Sequence, residues 1–130
     1  MIPTTTSDKD RLTGTPEKPA HYLLKLQVYN TAPHFGRGVI SLMLLIKEGH
    51  SIRSASQAMN MAYSKAWHLI RAAEEDLGFA LIIKKKGGST RAGSVLTPEG
   101  EWILTQFEKF ETAVHNCVDQ LFQEYFIPGS

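Results

Sequence analysis

The stretch from Ser51 to Leu77, SIRSASQAMNMAYSKAWHLIRAAEEDL, constrains the fold more tightly than any other part of the chain. It reads as two helices with a very short turn between them. Ser51 is a favourable N-cap for the first, and Ile52, Ala55 and Met59 then fall on one helical face. Asn60 stands where that helix must stop, and Asn tolerates the left-handed conformation that a sharp exit demands. A second helix begins near Tyr63. Its apolar row is Ala66, Ile70, Ala73 and Leu77, flanked by Trp67 and Leu69. The opposite row carries Ser64, Lys65, His68, Arg71 and Glu75. The small residues Ser54, Ala55, Ser56 and Ala58 let the second helix approach the first closely. This layout predicts a helix-turn-helix whose second helix presents polar and basic side chains to DNA. The plain alternative is a helical hairpin inside any small domain.

The remaining segments build around this pair. Tyr22–Asn30 alternates, with Leu24, Leu26 and Val28 on one side and Lys25, Gln27 and Tyr29 on the other, and predicts a leading strand. Pro33, Gly36 and Gly38 mark a loop. Val39–Glu48 predicts a helix with a stripe of Val39, Leu42, Met43 and Ile46, closed by Gly49. Phe79–Lys86 and Ser94–Thr97 predict a hairpin, or wing, whose loop GGSTRAG is glycine-rich and basic. Lys84, Lys85, Lys86 and Arg91, with Ser89 and Thr90, make that wing a candidate for phosphate contact rather than a merely solvated hairpin. Residues 1–20, rich in Thr and Pro without periodicity, predict a disordered tail.

Thr97-Pro98 is a helix start, with Thr as N-cap and Pro at the first helical position. The helix is predicted to run to about Phe126. Ile103, Phe107, Phe110, Val114, Cys117 and Leu121 alternate spacings of four and three, a heptad seam. One small domain can cover only part of such a helix, so the surplus predicts a dimerisation helix pairing with a second copy. The alternative is a helix that packs wholly on its own domain. The expected fold is therefore mainly α with a small β wing: a winged helix-turn-helix domain over 21–97, then the dimerisation helix over 98–127.

Charge patterning supports the same division. Between Arg37 and Arg91 there are nine Lys or Arg against four Asp or Glu, whereas from Pro98 onward one Lys faces six acids. The net charge of +1 hides this asymmetry. Nucleic acid attracts the first surface and repels the second. The lone Cys117 forms no disulfide framework or Cys-based zinc site. No apolar run approaches the roughly 20 residues of a membrane span, and residues 1–20 have no signal-peptide core. A cytoplasmic protein, not associated with membrane, is expected. The five His residues are scattered, with no His-Glu-x-x-His and no phosphate-cradling loop. Neither catalysis nor a cofactor or metal is expected.

From Leu24 to Val118 the chain resembles the N-terminal DNA-binding domain of the ModE family of molybdate-responsive transcription regulators. The residues that carry this are LLKLQVYN, FGRG, GHSIRSASQAMNMAYSKAW and KKKGGSTRAGSVLTPEG. LysR-type regulators are similar more distantly, but lack the Tyr63, Ala66, Trp67 pattern. Two positions depart: Ala62 stands where the family usually has Ser, weakening the cap of the second helix, and Asn60 replaces a usual Gly. Full-length members carry C-terminal oxyanion-binding domains that have no counterpart here, so no molybdate ligand can be carried over. The resemblance implies a stand-alone winged-helix homodimer that binds duplex DNA. The residues expected to face the DNA are Arg53, Tyr63, Ser64, Lys65, His68, Arg71 and those of the wing. The resemblance leaves room for a separate sensing protein. Two other readings stay open: a winged helix that binds proteins instead of DNA, and a direct oxyanion sensor using the wing loop as an anion nest.

Overall fold

The computed structural model describes residues 18–84 and 93–129. Most of the expected tail, together with Lys85, Lys86, Ser89, Thr90 and Arg91 of the wing, lies outside the described residues. Among the described residues four helices and one hairpin follow in order: α1 (Arg37–Lys47), α2 (Ile52–Ala58), α3 (Tyr63–Leu77), β1 (Ile82–Lys84), β2 (Ser94–Leu96) and α4 (Pro98–Phe126).

Helix α1 buries Val39, Ile40, Leu42, Met43 and Ile46, the predicted stripe with one addition. It ends in a Schellman motif. Gly49, at φ +113°, gives its N–H to the Ile46 carbonyl, and His50 gives its N–H to the Leu45 carbonyl, both at 3.0 Å. Helix α2 starts on Ser51, whose hydroxyl accepts the Ser54 N–H at 3.0 Å. It ends in the same motif with Asn60 at the left-handed position, φ 57°. There the Asn60 N–H reaches the Gln57 carbonyl and the Met61 N–H reaches the Ser56 carbonyl. Asn60 thus takes the turn position expected of it. Helix α3 starts on Ala62 with no side-chain cap, as the missing hydroxyl predicts. It ends at Gly78, φ 89°.

The wing strands pair antiparallel, with Ile82 opposite Leu96, Ile83 opposite Val95 and Lys84 opposite Ser94. The first strand begins three residues later than its predicted start at Phe79. The reason is a side chain: the Glu74 carboxylate accepts the Leu81 N–H at 2.8 Å and the Ile82 N–H at 3.3 Å, holding the strand entry against α3. The predicted leading strand is reduced to one antiparallel bridge between Val28 and Phe35. Its faces alternate as expected, with Leu24, Leu26 and Val28 half-buried and Lys25, Gln27 and Tyr29 exposed. Among the described residues it finds no strand to pair with beyond that one bridge, and the wing strands pair with each other.

Asp76 ties this leading segment to the end of α3. Its carboxylate accepts the backbone N–H groups of Asn30, Thr31 and Ala32 at 2.7–2.9 Å. These bonds, that from Asn30 first, hold the carboxyl below its ordinary range. The core gathers α1, α2 and α3 with Leu81, Ile82 and the first turns of α4. Phe35 meets Phe107 edge-on, with ring centroids 5.8 Å apart.

Helix α4 starts as predicted, on Thr97. The Thr97 hydroxyl accepts the Gly100 N–H at 2.8 Å and donates to the Ala80 carbonyl at 2.6 Å, so one side chain caps the helix and pins the wing root. The chain divides into two compact units, one spanning Lys25–Ala113 and the other formed by the chain up to Leu24 with Val114 onward. In the second, Tyr22 donates to the Asp119 carboxylate and its ring lies 5.3 Å from that of Phe122. That bond raises the Tyr22 phenol above its ordinary value.

Candidate nucleic-acid interface

Helix α3 owes its amphipathic form to alternation of two rows. Ala66, Ile70 and Ala73 are buried, and their small or branched side chains seat the helix close against α1 and α2. The opposite row, Ser64, Lys65, His68, Arg71 and Glu75, is exposed throughout. At about 100° per residue, Ser64, His68, Arg71 and Glu75 fall within one narrow stripe, with Lys65 on one flank and Trp67 on the other. Ser64 and His68 can donate or accept hydrogen bonds from the N-terminal half of the helix, and Arg71, just past its midpoint, can only donate. Glu75, near the C-terminus, offers only an acceptor.

Two arginines are held on rings beside this stripe. Arg53, exposed on α2, lies over the half-buried Tyr63 ring with its guanidinium carbon 4.2 Å from the centroid. Arg71 lies over the Trp67 indole at 4.7 Å. Both stacks are cation–π contacts that orient a planar donor set. Arg71 also has its Nε 3.9 Å from Glu74, a distance that attracts without forming a hydrogen bond. Its side chain remains 69% exposed, so its donors are free to meet a partner.

Between α3 and β1 runs an open groove of about 580 Å³ lined by Trp67, Arg71, Glu74, Ile82, Ile83 and Lys84. Lys84, the described wing cation, is exposed on its rim beside Ile83, itself 50% exposed. The groove therefore has an apolar floor and two cations at its edge.

The expected dimer seam divides. Ile103 and Phe107 are buried in the domain's own core. Val114 is half-buried, and Phe110, Cys117 and Leu121 are exposed. Trp102 and Tyr125, off the seam, are exposed at 59% and 75%. Among the described residues no cluster of His, Cys, Asp or Glu could hold a metal ion, and no helix is long and apolar enough to cross a membrane.

Three residues of this region escaped the sequence reading as site elements. Trp67 counts in the sequence as a flanking apolar residue and as part of the Tyr63, Ala66, Trp67 pattern but not as a site element, although its spacing of four from Arg71 is a usable signal. Glu74 and Asp76 gave no signal, because their partners are main-chain N–H groups remote in sequence.

Residues 40–101 match the family of bacterial regulatory helix-turn-helix proteins, lysR family. The molybdenum-pterin-binding protein MopB of Rhodobacter capsulatus is 27% identical over 84 residues, which are 65% of this chain and 31% of that protein. The chain thus spans about a third of that relative's length. A solved chain from the crystal structure of a CbnR_DBD-DNA complex superposes with a TM-score of 0.49 at 17% identity, covering 63% of this chain and 88% of that one. The described elements form a winged helix-turn-helix domain that is similar, over residues 40–101, to the bacterial regulatory helix-turn-helix proteins.

Proposed function

We propose that this chain is a ModE-like transcription regulator that binds duplex DNA as a homodimer. The observation that carries the proposal is the exposed row Ser64, Lys65, His68 and Arg71 on the second helix of a helix-turn-helix. In this reading α3 lies in the major groove. Ser64, His68 and Arg71 meet base edges, and Lys65 meets phosphate. Arg53 and Tyr63 stand at the entrance, and Lys84 begins a basic wing that Lys85, Lys86 and Arg91 continue along the backbone. The exposed Phe110, Cys117 and Leu121 on α4 take a second copy, and the acidity of that helix keeps it away from phosphates. A two-fold dimer then sets half-sites about 34 Å apart, or a multiple of that. The molybdenum of the relative's name is not carried to these residues. A winged helix devoted to protein partners would have no use for the two ring-held arginines and the basic wing.

The test is selection of bound fragments from genomic DNA, followed by shift assays on the fragments recovered. Arg71→Ala should weaken recovered sites by about 1–3 kcal/mol and spare random duplex. Lys65→Ala should weaken both alike. Unchanged binding in both folded variants would sink the orientation of α3.

A further inference from the structure

We infer that Trp67 and Glu74 are positioning residues for Arg71, fixing its guanidinium toward DNA before DNA arrives. The inference rests on the DNA-binding reading above. Arginine on an exposed helix face ordinarily samples many rotamers, and freezing them on binding costs affinity. Here the guanidinium already lies over the indole, 4.7 Å from its centroid, with the Glu74 carboxylate 3.9 Å from Nε. The indole is itself half-buried and so does not swing with its cargo. Glu74 is only 16% exposed, and its other oxygen is committed to the Leu81 and Ile82 N–H groups. The same carboxylate therefore locates Arg71 and the root of the wing. Reading side chain and phosphate-facing hairpin are held in one register by a single group. Neither Trp67 nor Glu74 needs to touch a base, and the bidentate fork of Arg71 stays open to one.

A double-mutant cycle separates this from a purely structural role. Trp67→Leu should weaken binding to the selected site by about fivefold in the native background, from loss of the stack and its ordering. In an Arg71→Ala background the same change should have an effect of less than about twofold, because nothing remains to be positioned. Trp67→Phe keeps a ring and should restore most of the affinity. Glu74→Gln should follow the pattern of Trp67→Leu, since the amide still accepts a wing-root N–H but no longer attracts a cation. Should Trp67→Leu not fold, Arg71→Lys carries the test on the surface: an ammonium has no plane to lie on the indole, so it should lose nearly as much as Arg71→Ala. A readout without DNA is the ring-current shift of the Arg71 δ-methylene protons, expected upfield in the wild type and absent in Trp67→Leu. Equal losses from Trp67→Leu in both backgrounds, unshifted Arg71 protons, or full affinity of Arg71→Lys would overturn the inference while leaving DNA binding intact. A wild type that binds no DNA would overturn the reading beneath it.

Discussion

The joint between the wing and α4 leaves no room at Gly100. A Cβ there would stand 2.4 Å from the Leu81 carbonyl oxygen and 3.2 Å from the Thr97 hydroxyl. Ordinary contact begins near 3.4 Å, so Gly100→Ala must displace backbone by about 1 Å. The obstructing oxygen is already engaged, accepting the Thr97 N–H at 2.9 Å. Two effects oppose each other. Alanine favours helix over glycine by at most about 1 kcal/mol, and by less in a first turn. Overpacking a rigid site costs about 1–3 kcal/mol. The clash with backbone should win, leaving Gly100→Ala less stable by about 1–2 kcal/mol. Guanidinium titration measures this as a lower midpoint with unchanged slope. A midpoint equal to or above the wild type's would refute the reasoning and show that the wing root yields. The loss should extend to DNA affinity, because Leu81 also donates to Glu74.

Phe110→Glu should give a monomer in sedimentation and lose binding to paired half-sites, since a two-fold seam would bury two unpaired carboxylates. Phe110 is 47% exposed in the single chain, so its own domain should still fold; an intact dimer would place the interface elsewhere. Asp76 has a depressed carboxyl, so its contribution is fully present above the ordinary value of 3.8 and is lost as pH falls through the lower folded value. The stability gap between wild type and Asp76→Asn should accordingly be constant near neutrality and close on acidification. A gap that widens in acid would contradict the three N–H bonds assigned to that carboxylate.

Much of the fold was legible because the decisive signals are local. Ser51, Gly49, Asn60, Gly78 and Thr97 cap or stop their helices within a few residues of themselves, and caps are written in adjacent sequence. The exposed row of α3 was equally legible, since helical periodicity alone sorts Ser64, Lys65, His68 and Arg71 from Ala66, Ile70 and Ala73. The leading strand failed for a non-local reason. Leu24, Leu26 and Val28 alternate correctly, but a strand needs a partner and periodicity cannot supply one. The late start of β1 was hidden in the same way, in a carboxylate on α3 that takes the N–H groups a longer strand would have used. The heptad seam shows that the domain covers only part of α4 but not which part: tertiary packing claims Ile103 and Phe107 and leaves Phe110, Cys117 and Leu121 outside.

The central claim is that a cationic face meets the phosphates of duplex DNA, and the salt dependence of wild-type binding tests it most directly. Lys65, Lys84, Lys85, Lys86 and Arg91 are the phosphate candidates of one subunit. If half or more of them engage in each subunit of a dimer, log affinity should fall linearly with log salt with a slope between about −5 and −9. Replacing Lys84, Lys85, Lys86 and Arg91 together by Gln should flatten that slope by about 0.9 for each phosphate no longer neutralised. A wild-type slope near zero, or the same slope after those four replacements, would contradict the account.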